Sequence, residues 1–521
     1  MKLTSFLRLF RRSRRKNYQR ASVLSMRALD GNLFTEIELI SFQKITIAQV
    51  DLMKFRDESI RIKSGSVSEI APSFMEKIKF LPRQLLGLKR LKVRSEIATN
   101  WDILPSSIYR FFVTTIIGST TVKGRNQKSG LIHLSENSSS FYYRDPVGSG
   151  LRLEHLRVSR DEIDELKLGN SSGEKKRIKC VLGEYTNSAR DNGIAIFRGI
   201  KDDYLDVRYV IERFNIDNLD VSSKNIIEYG SKEHLMFCLD AEVAIFTHHS
   251  SYIFPVVIRH IDPLHFSKVK RFFVQHGVTA LKNSMKAYHK SKTHYDAINV
   301  CSQLEQRIVT EACGYDLSEV KITGFPRHDN LLRTVKNAKA DERRIIVFPT
   351  WRSGMDRMKL AEAEKTRFVS EWRLALSQMR SSGFHVTLII HPIINHHASL
   401  FVNYADLLAD ASNFQKELAC CSCLVTDYSS VCFDAIYVGK PVFFFVFDEL
   451  EYGFSSQALI DVDTQLPGNR HVDVEMLVED LNASRQLGWP VRNENAKLFF
   501  SNIDELNTDR CVHAIKSLVS R

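Results

Sequence analysis

From Lys179 onward, short apolar runs recur at intervals that leave room for a helix between them. Lys179–Leu182, Val207–Ile211, Ile226–Tyr229, Val243–Phe246 and Arg271–Gln275 form one series of predicted strands. Lys321–Thr323, Arg344–Phe348, His385–Ile390, Cys423–Thr426 and Val442–Phe447 form a second. Strands alternating with helices argue for parallel sheets with helices on both faces. Two such series predict an α/β protein with two Rossmann-like domains facing a cleft, over residues 166–332 and 333–521.

The part before this alternation reads differently. A chain of 521 residues is too long for one core. Phe34–Ile40, Ile45–Val50, Ile60–Ile62, Gly130–Leu134 and Phe141–Tyr143 are short, partly alternating runs separated by Gly, Ser and Asn, which predicts an N-terminal β-rich accessory domain over 26–165. Lys77 to Arg94 interleaves basic residues with Leu and Ile, the pattern of a helix that either binds a membrane or polyanion or shows a solvated face. The first twenty residues carry eight Lys or Arg and no acid, and Leu3, Phe6, Leu7 and Phe10 share one helical face. Segment 1–25 therefore reads as a basic amphipathic helix on anionic lipid, with a disordered basic arm or a nucleic-acid arm as alternatives.

A net charge of +12 calls for anionic partners. No run approaches the roughly 18 apolar residues of a spanning helix, and the basic start is not followed by the apolar stretch of a secretory signal. Nine scattered cysteines point to a reducing compartment. Cys420-Cys421-Ser422-Cys423 lacks a second ligand pair at zinc spacing and runs into a buried strand, so these read as small core residues.

Five motifs fall just after predicted strands, where open α/β sheets place ligands. They are Gln275-His276-Gly277 with Leu281-Lys282, Gly324-Phe325-Pro326-Arg327-His328-Asp329, Pro349-Thr350-Trp351-Arg352, His391-Pro392, and Thr426-Asp427-Tyr428-Ser429-Ser430. In the last, a strand ends in a polar turn and Val431 to Val438 reads as a helix stopped by Gly439 and Pro441. Hydroxyls and free amides at such a helix start hold an anion, most often a phosphate. Singly each signal is weak, since a lone His beside Gly is more often structural and Asp329 would serve as a cap. Together two strand-end His, two loop Arg and a Ser-Ser turn suit a pyrophosphate-bearing donor and proton transfer near pH 7. No metal or other cofactor is called for, because Asp461-Val462-Asp463 reads as a solvated turn.

The set QHG…LK, TGFPRHD, FPTWR, HP, TDYSSVCFDA with GKP, and Glu451-Tyr452-Gly453-Phe454 resembles the CDP-glycerol glycerophosphotransferase family of teichoic-acid and capsule polymerases. The resemblance spans roughly Arg177 to Arg521, including Asp191-Asn192-Gly193. It implies a GT-B-like enzyme that moves glycerol phosphate or a similar polyol phosphate from a CDP-activated donor to a hydroxyl of a polymer or lipid-linked acceptor. The 166–332 domain would face the acceptor and the 333–521 domain would bind the donor. It implies His276 as general base and His391 as the contact or proton donor to the pyrophosphate, with the two roles exchangeable. Arg327 and Arg352 would neutralise phosphate charge, and Ser429 and Ser430 would clamp the pyrophosphate. Asp427 would orient that turn, Thr350 and Gly324 would lie by the cytidine, and Gly277 and Lys282 would approach the donor. The implied location is the cytoplasmic face of the cell membrane, without nucleic acid as a partner. The HG motif continues Val278-Thr279-Ala280-Leu281-Lys282 where many members read HGTPLK, which leaves the polyol open. The rival readings are a GT-B glycosyltransferase using a nucleotide-sugar and a non-catalytic polyanion- or membrane-binding protein.

Overall fold

The computed structural model describes residues 135–144, 151–168, 177–200, 205–212, 225–262, 264–282, 288–453, 457–491 and 493–519; before residue 135 it describes mainly the strands of an antiparallel β-region. The basic segment expected over 1–25 lies outside the described residues up to position 18, as do residues 77–88 and Phe454. The chain divides into two units: residues 1–188, 204–242 and 249–269, and residues 189–203, 243–248 and 270–521. The division runs through the span 166–332 that the sequence set apart as one domain. Residues 189–203 and 243–248 spend their contacts on later parts of the chain, as in the Asn192 amide bond to the Gln275 carbonyl at 2.7 Å.

In the first unit, strands β1 (Gln19–Leu29), β2 (Asn32–Ser41), β3 (Ile47–Lys54), β4 (Arg61–Lys63), β5 (Ser66–Glu69) and β6 (Lys89–Ile97) precede β7 (Ser107–Thr115) and β8 (Gly118–Gly124). Then come β9 (Gly130–His133), β10 (Ser139–Arg144) and β11 (Leu151–Leu156). They pair in the order β5-β6-β2-β1-β8-β7-β11-β10-β9, with β3 on β7 and β4 on β3. Most pairings are antiparallel, as in Leu29↔Asn32 and Phe141↔Glu154; β1 on β8 is parallel. Lys89 to Arg94, expected on a helix, lies in β6 against β2. Its apolar and basic residues alternate with period two, which suits a strand as well as the looser helical match.

The same unit holds three parallel strands, β12 (Ile178–Gly183), β13 (Leu205–Ile211) and β14 (Ile226–Glu228). Two buried carboxylates tie it together. Glu212 accepts from Ser107 Oγ at 2.6 Å and Thr186 Oγ1 at 2.7 Å. Glu154 accepts from the Tyr229 hydroxyl at 2.7 Å and the Val256 and Val257 amides at 3.1 Å. Burial pushes Glu154 up to about 7 in spite of these donors.

The second unit contains two parallel sheets. One runs β15 (Val243–Phe246), β16 (Lys270–Phe273), β17 (Ala297–Val300) and β18 (Val320–Ile322). The other has β19 (Asp341–Phe348), β20 (His385–Ile389), β21 (Leu407–Ala409), β22 (Cys421–Thr426), β23 (Val442–Phe445) and β24 (Asn469–His471), in the order β21-β20-β19-β22-β23-β24. Both faces of the second sheet are buried. Ile346, Phe348 and Phe444 join one apolar cluster with Phe325 and Phe433, while Ile345, Val347, Phe443 and Phe445 join another with Trp372. That explains strands that read as continuous apolar runs. Cys421 and Cys423 are fully buried among these side chains.

Helix ends follow local chemistry. Ser302 caps the helix Gln303–Cys313 by accepting from the Glu305 amide, and Gly314 ends it at φ 72°. Asp329 accepts from the Asn507 and Thr508 amides at 3.0 and 2.8 Å, so it caps the later helix Asn507–Val519. Among the described residues, no helix is long and apolar enough to cross a membrane.

Candidate active site

The carboxyl ends of β16, β19, β20 and β22 surround a cavity of about 260 Å³ within the second unit. Its lining includes Gln275 to Thr279, Lys282, Tyr288, Thr350, Trp351, His391, Tyr428 to Ser430 and Tyr452. Of the residues singled out in the sequence, His276, Gly277, Lys282, Thr350, His391, Ser429 and Ser430 line this space. Gly324, Arg327, Arg352 and Asp427 are not among its lining residues.

The loop carrying His276 is fastened from beneath. The Gln275 amide donates to Asn299 Oδ1 at 2.7 Å, its side-chain amide donates to the Asn299 carbonyl at 2.7 Å, and Thr279 Oγ1 donates to Gln275 Oε1 at 2.6 Å. Buried Glu305 accepts from the Thr279 and Cys301 amides at 2.7 Å each, and from Gln275 Nε2 at 3.3 Å. Burial raises Glu305 to about 7, with these three donors pulling the other way. Gly277 brings the two sheets close, because a Cβ there would stand 3.0 Å from Ser430 Oγ.

Arg327 sits behind that loop. It donates to the His276 carbonyl at 2.7 Å, to Asp191 at 3.1 Å and to Asp434 at 2.6 Å, and its own amide donates to Asn192 Oδ1 at 3.0 Å. Burial works against its charge, but Asp434 and Asp191 outweigh that and hold the guanidinium above its usual range. Asp434 is pushed up by burial and pulled down further by Arg327 and by His328 at 2.8 Å, to about 2. Gly324 packs elsewhere: its φ is +73°, and a Cβ would collide with the Asn507 side chain.

Arg352 is committed in the same way beneath the second sheet's loops. It meets Asp448 through two bonds of 2.6 and 2.9 Å, reaches Asp427 at 2.9 Å, and lies about 5 Å from the ring centres of Phe368, Tyr428 and Tyr452. Asp427 is fully buried and its other oxygen accepts from the Thr350 amide at 2.8 Å and the Tyr428 amide at 2.6 Å. Arg327 and Arg352 thus pair with carboxylates and are not among the residues that line the cavity. The paired-carboxylate geometry has no counterpart in motif spacing, which is why these cations read as phosphate ligands in the sequence. Among the described residues lining the cavity, Lys282 is the one Lys or Arg, with its Nζ 3.3 Å from the Tyr452 hydroxyl.

His391 lies two residues beyond β20 and opens the 3₁₀ turn that starts at Pro392. Its Nδ1 accepts from the Ile393 amide at 3.3 Å, so in the neutral ring the proton sits on Nε2. Thr350 Oγ1 is buried and has no hydrogen-bond partner among the described residues. A buried hydroxyl beside a cavity, with no protein partner, is suited to a ligand. Tyr428 and Tyr452 stack at 4.1 Å and 14° along the same wall. Asp461, in the Asp-x-Asp pair, accepts from the Asp463 amide at 3.0 Å and Thr464 Oγ1 at 2.8 Å, and Asp463 pairs with Arg470 at 2.9 Å.

A family model described as CDP-Glycerol:Poly(glycerophosphate) glycerophosphotransferase matches residues 175–516, about two thirds of the chain. The chain belongs to this family. The glycerophosphotransferase match begins close to β12 and includes every cavity residue named above. Its relatives include the minor teichoic acid biosynthesis protein GgaB of Bacillus subtilis (strain 168), 24% identical over 324 residues, or 56% of this chain and 34% of that one. The teichoic acid poly(ribitol-phosphate) polymerase of Bacillus spizizenii is 24% identical over 243 residues, 44% of this chain and 38% of that one. The chain therefore spans little more than a third of the length of these relatives. The solved structure of the wall teichoic acid polymerase TagF covers 69% of this chain and 93% of its own, with a TM-score of 0.53 at 18% identity. That likeness is one of fold: an α/β protein with parallel sheets.

Several residues around this candidate site escaped the sequence reading. Asn299, Glu305, Asp434 and Asp448 carry the loops without touching the cavity. Asp434 and Asp448 had a usable signal, as acids in otherwise apolar surroundings beside strands. Asn299 and Glu305 had none, because one Asn in a strand and one Glu in a helix are ordinary.

Proposed function

We propose that this chain transfers glycerol phosphate, or a related polyol phosphate, from a CDP-activated donor to a hydroxyl of a teichoic-acid or capsular polymer and releases CMP. One observation carries the reading in a chain of this family: two histidines, His276 and His391, line one cavity at the strand ends with the Ser429-Ser430 turn and Lys282. His276 takes the proton from the acceptor hydroxyl. The acceptor oxygen forms a bond to the phosphorus that bears the polyol, and the bond from that phosphorus to the oxygen of CMP breaks. His391 presents Nε2–H to the leaving phosphate, a role that its Ile393 amide bond favours. Positioning and charge are most of what such a transfer needs. Lys282, Ser429 and Ser430 contact the pyrophosphate, and Thr350 Oγ1 meets the nucleoside. Arg327, Arg352 and Asp427 act one layer behind, by fixing the loops of His276 and Thr350. A solved structure of the related polymerase TagF carries a CDPG soak, in keeping with a CDP-linked donor here.

The arrangement we propose is GT-B-like, with the β-rich amino-terminal region as an accessory domain, and with the basic segment 1–25 holding the protein on the anionic cytoplasmic face of the membrane at a lipid-linked or polymeric acceptor. Incubation with CDP-glycerol, CDP-ribitol or UDP-sugars and an oligomeric acceptor tests the reaction. CMP release is expected, and UDP release without CMP would overturn it.

A further inference from the structure

The strand register places a second histidine beside His276. In the parallel pair β15–β16, Phe246 lies opposite Phe273, and the Val274 amide extends the ladder to the Phe246 carbonyl at 2.7 Å. Two residues beyond each strand end, His248 and Gln275 fall side by side, and His276 follows. The His248 and His276 rings stack with centres 5.0 Å apart and planes 13° from parallel. His248 is buried, and its Nδ1 lies 2.9 Å from Thr247 Oγ1, itself fully buried. His276 is exposed.

We propose that His248 is a positioning residue for the transfer reaction, a fixed aromatic platform that sets the plane of the His276 ring and supports the imidazolium formed when His276 accepts the acceptor's proton. This rests on the role given to His276 above. In a stack the N–H groups lie in each ring's own plane and do not point at the neighbouring ring, so His248 is given a supporting role and not that of a proton acceptor. A cation over a π-face is stabilised, and the stabilisation exists only once His276 is charged. It therefore acts on the transition state and not on donor binding. The other charged or titratable groups around His276 include Lys282, His391, Tyr288, Tyr428 and Tyr452 in the cavity lining and Arg327, bonded to its carbonyl and paired with Asp191 and Asp434.

The test compares His248→Leu, which keeps bulk but removes the π-face, with His248→Phe, which keeps it. Two readouts are needed: steady-state CMP release, and the titration of His276 by NMR of histidine-labelled protein, assigned with His276→Asn. In His248→Leu, kcat should fall about threefold with KM for the donor unchanged, and the His276 midpoint should drop by about half a pH unit. His248→Phe should restore both. An unmoved midpoint in His248→Leu overturns the proposal whatever happens to turnover. Equal losses in Leu and Phe variants overturn it too. If wild-type protein releases no CMP from any CDP-polyol, the transfer reading fails, while the midpoint still decides the stack.

Discussion

At the scale of single residues, the charges divide into those that face the cavity and those that hold it in shape. Removing His276 or His391 should abolish most transfer, about 10²–10⁴-fold for loss of a general acid or base, with circular dichroism unchanged. Arg327→Met should behave differently. It leaves Asp434 and Asp191 without their cation, a loss of about 3–5 kcal/mol for a broken buried pair, read as a lowered urea midpoint. A variant that stays fully stable yet loses donor binding would instead make Arg327 a ligand contact. Gly277→Ala sets a methyl against Ser430 Oγ; KM for the donor should rise while the fold persists. The motifs made these positions legible, but not which way each side chain points. Arg327 and Arg352 resemble phosphate ligands in the sequence because their carboxylate partners, Asp434 and Asp448, lie 107 and 96 residues away.

At the scale of elements, the parallel strands were readable because β19, β22 and β23 bury both faces and so appear as apolar runs. β17 (Ala297–Val300) was missed, since Asn299 interrupts its four residues. That Asn and Glu305 instead hold the His276 loop. The Glu305 carboxyl, raised to about 7 by burial, binds its proton more tightly in the folded chain than in the unfolded one. Its contribution to stability therefore declines as pH rises from about 4.5 to about 7, by about 3 kcal/mol over the window. Glu305→Gln should flatten that slope in thermal melts, and should also disturb the loop by turning an NH₂ toward an amide donor. Asp434 has the opposite sign: held at about 2, its stabilisation is present above about pH 4 and is lost as pH falls toward 2.

At the scale of the whole molecule, the family match covers residues 175–516 and leaves the β-region before it without a counterpart in that model. The β-rich character of that region is visible in its alternating runs, whereas β1 is hard to read because Arg20 and Arg27 and its small residues blur a period-two pattern, and β8, with Gly at both ends and one apolar residue, carries hardly any pattern. The excess of +12 charges predicts binding to vesicles with anionic lipid that weakens as salt rises; equal binding to neutral vesicles would contradict it. The most direct measurement is nucleotide release by the purified protein with CDP-glycerol and an oligomeric acceptor, beside His276→Ala. CMP formed by the wild type and lost in the variant is the predicted result; UDP from nucleotide-sugars without any CMP, or CMP release unaffected by the variant, would contradict it.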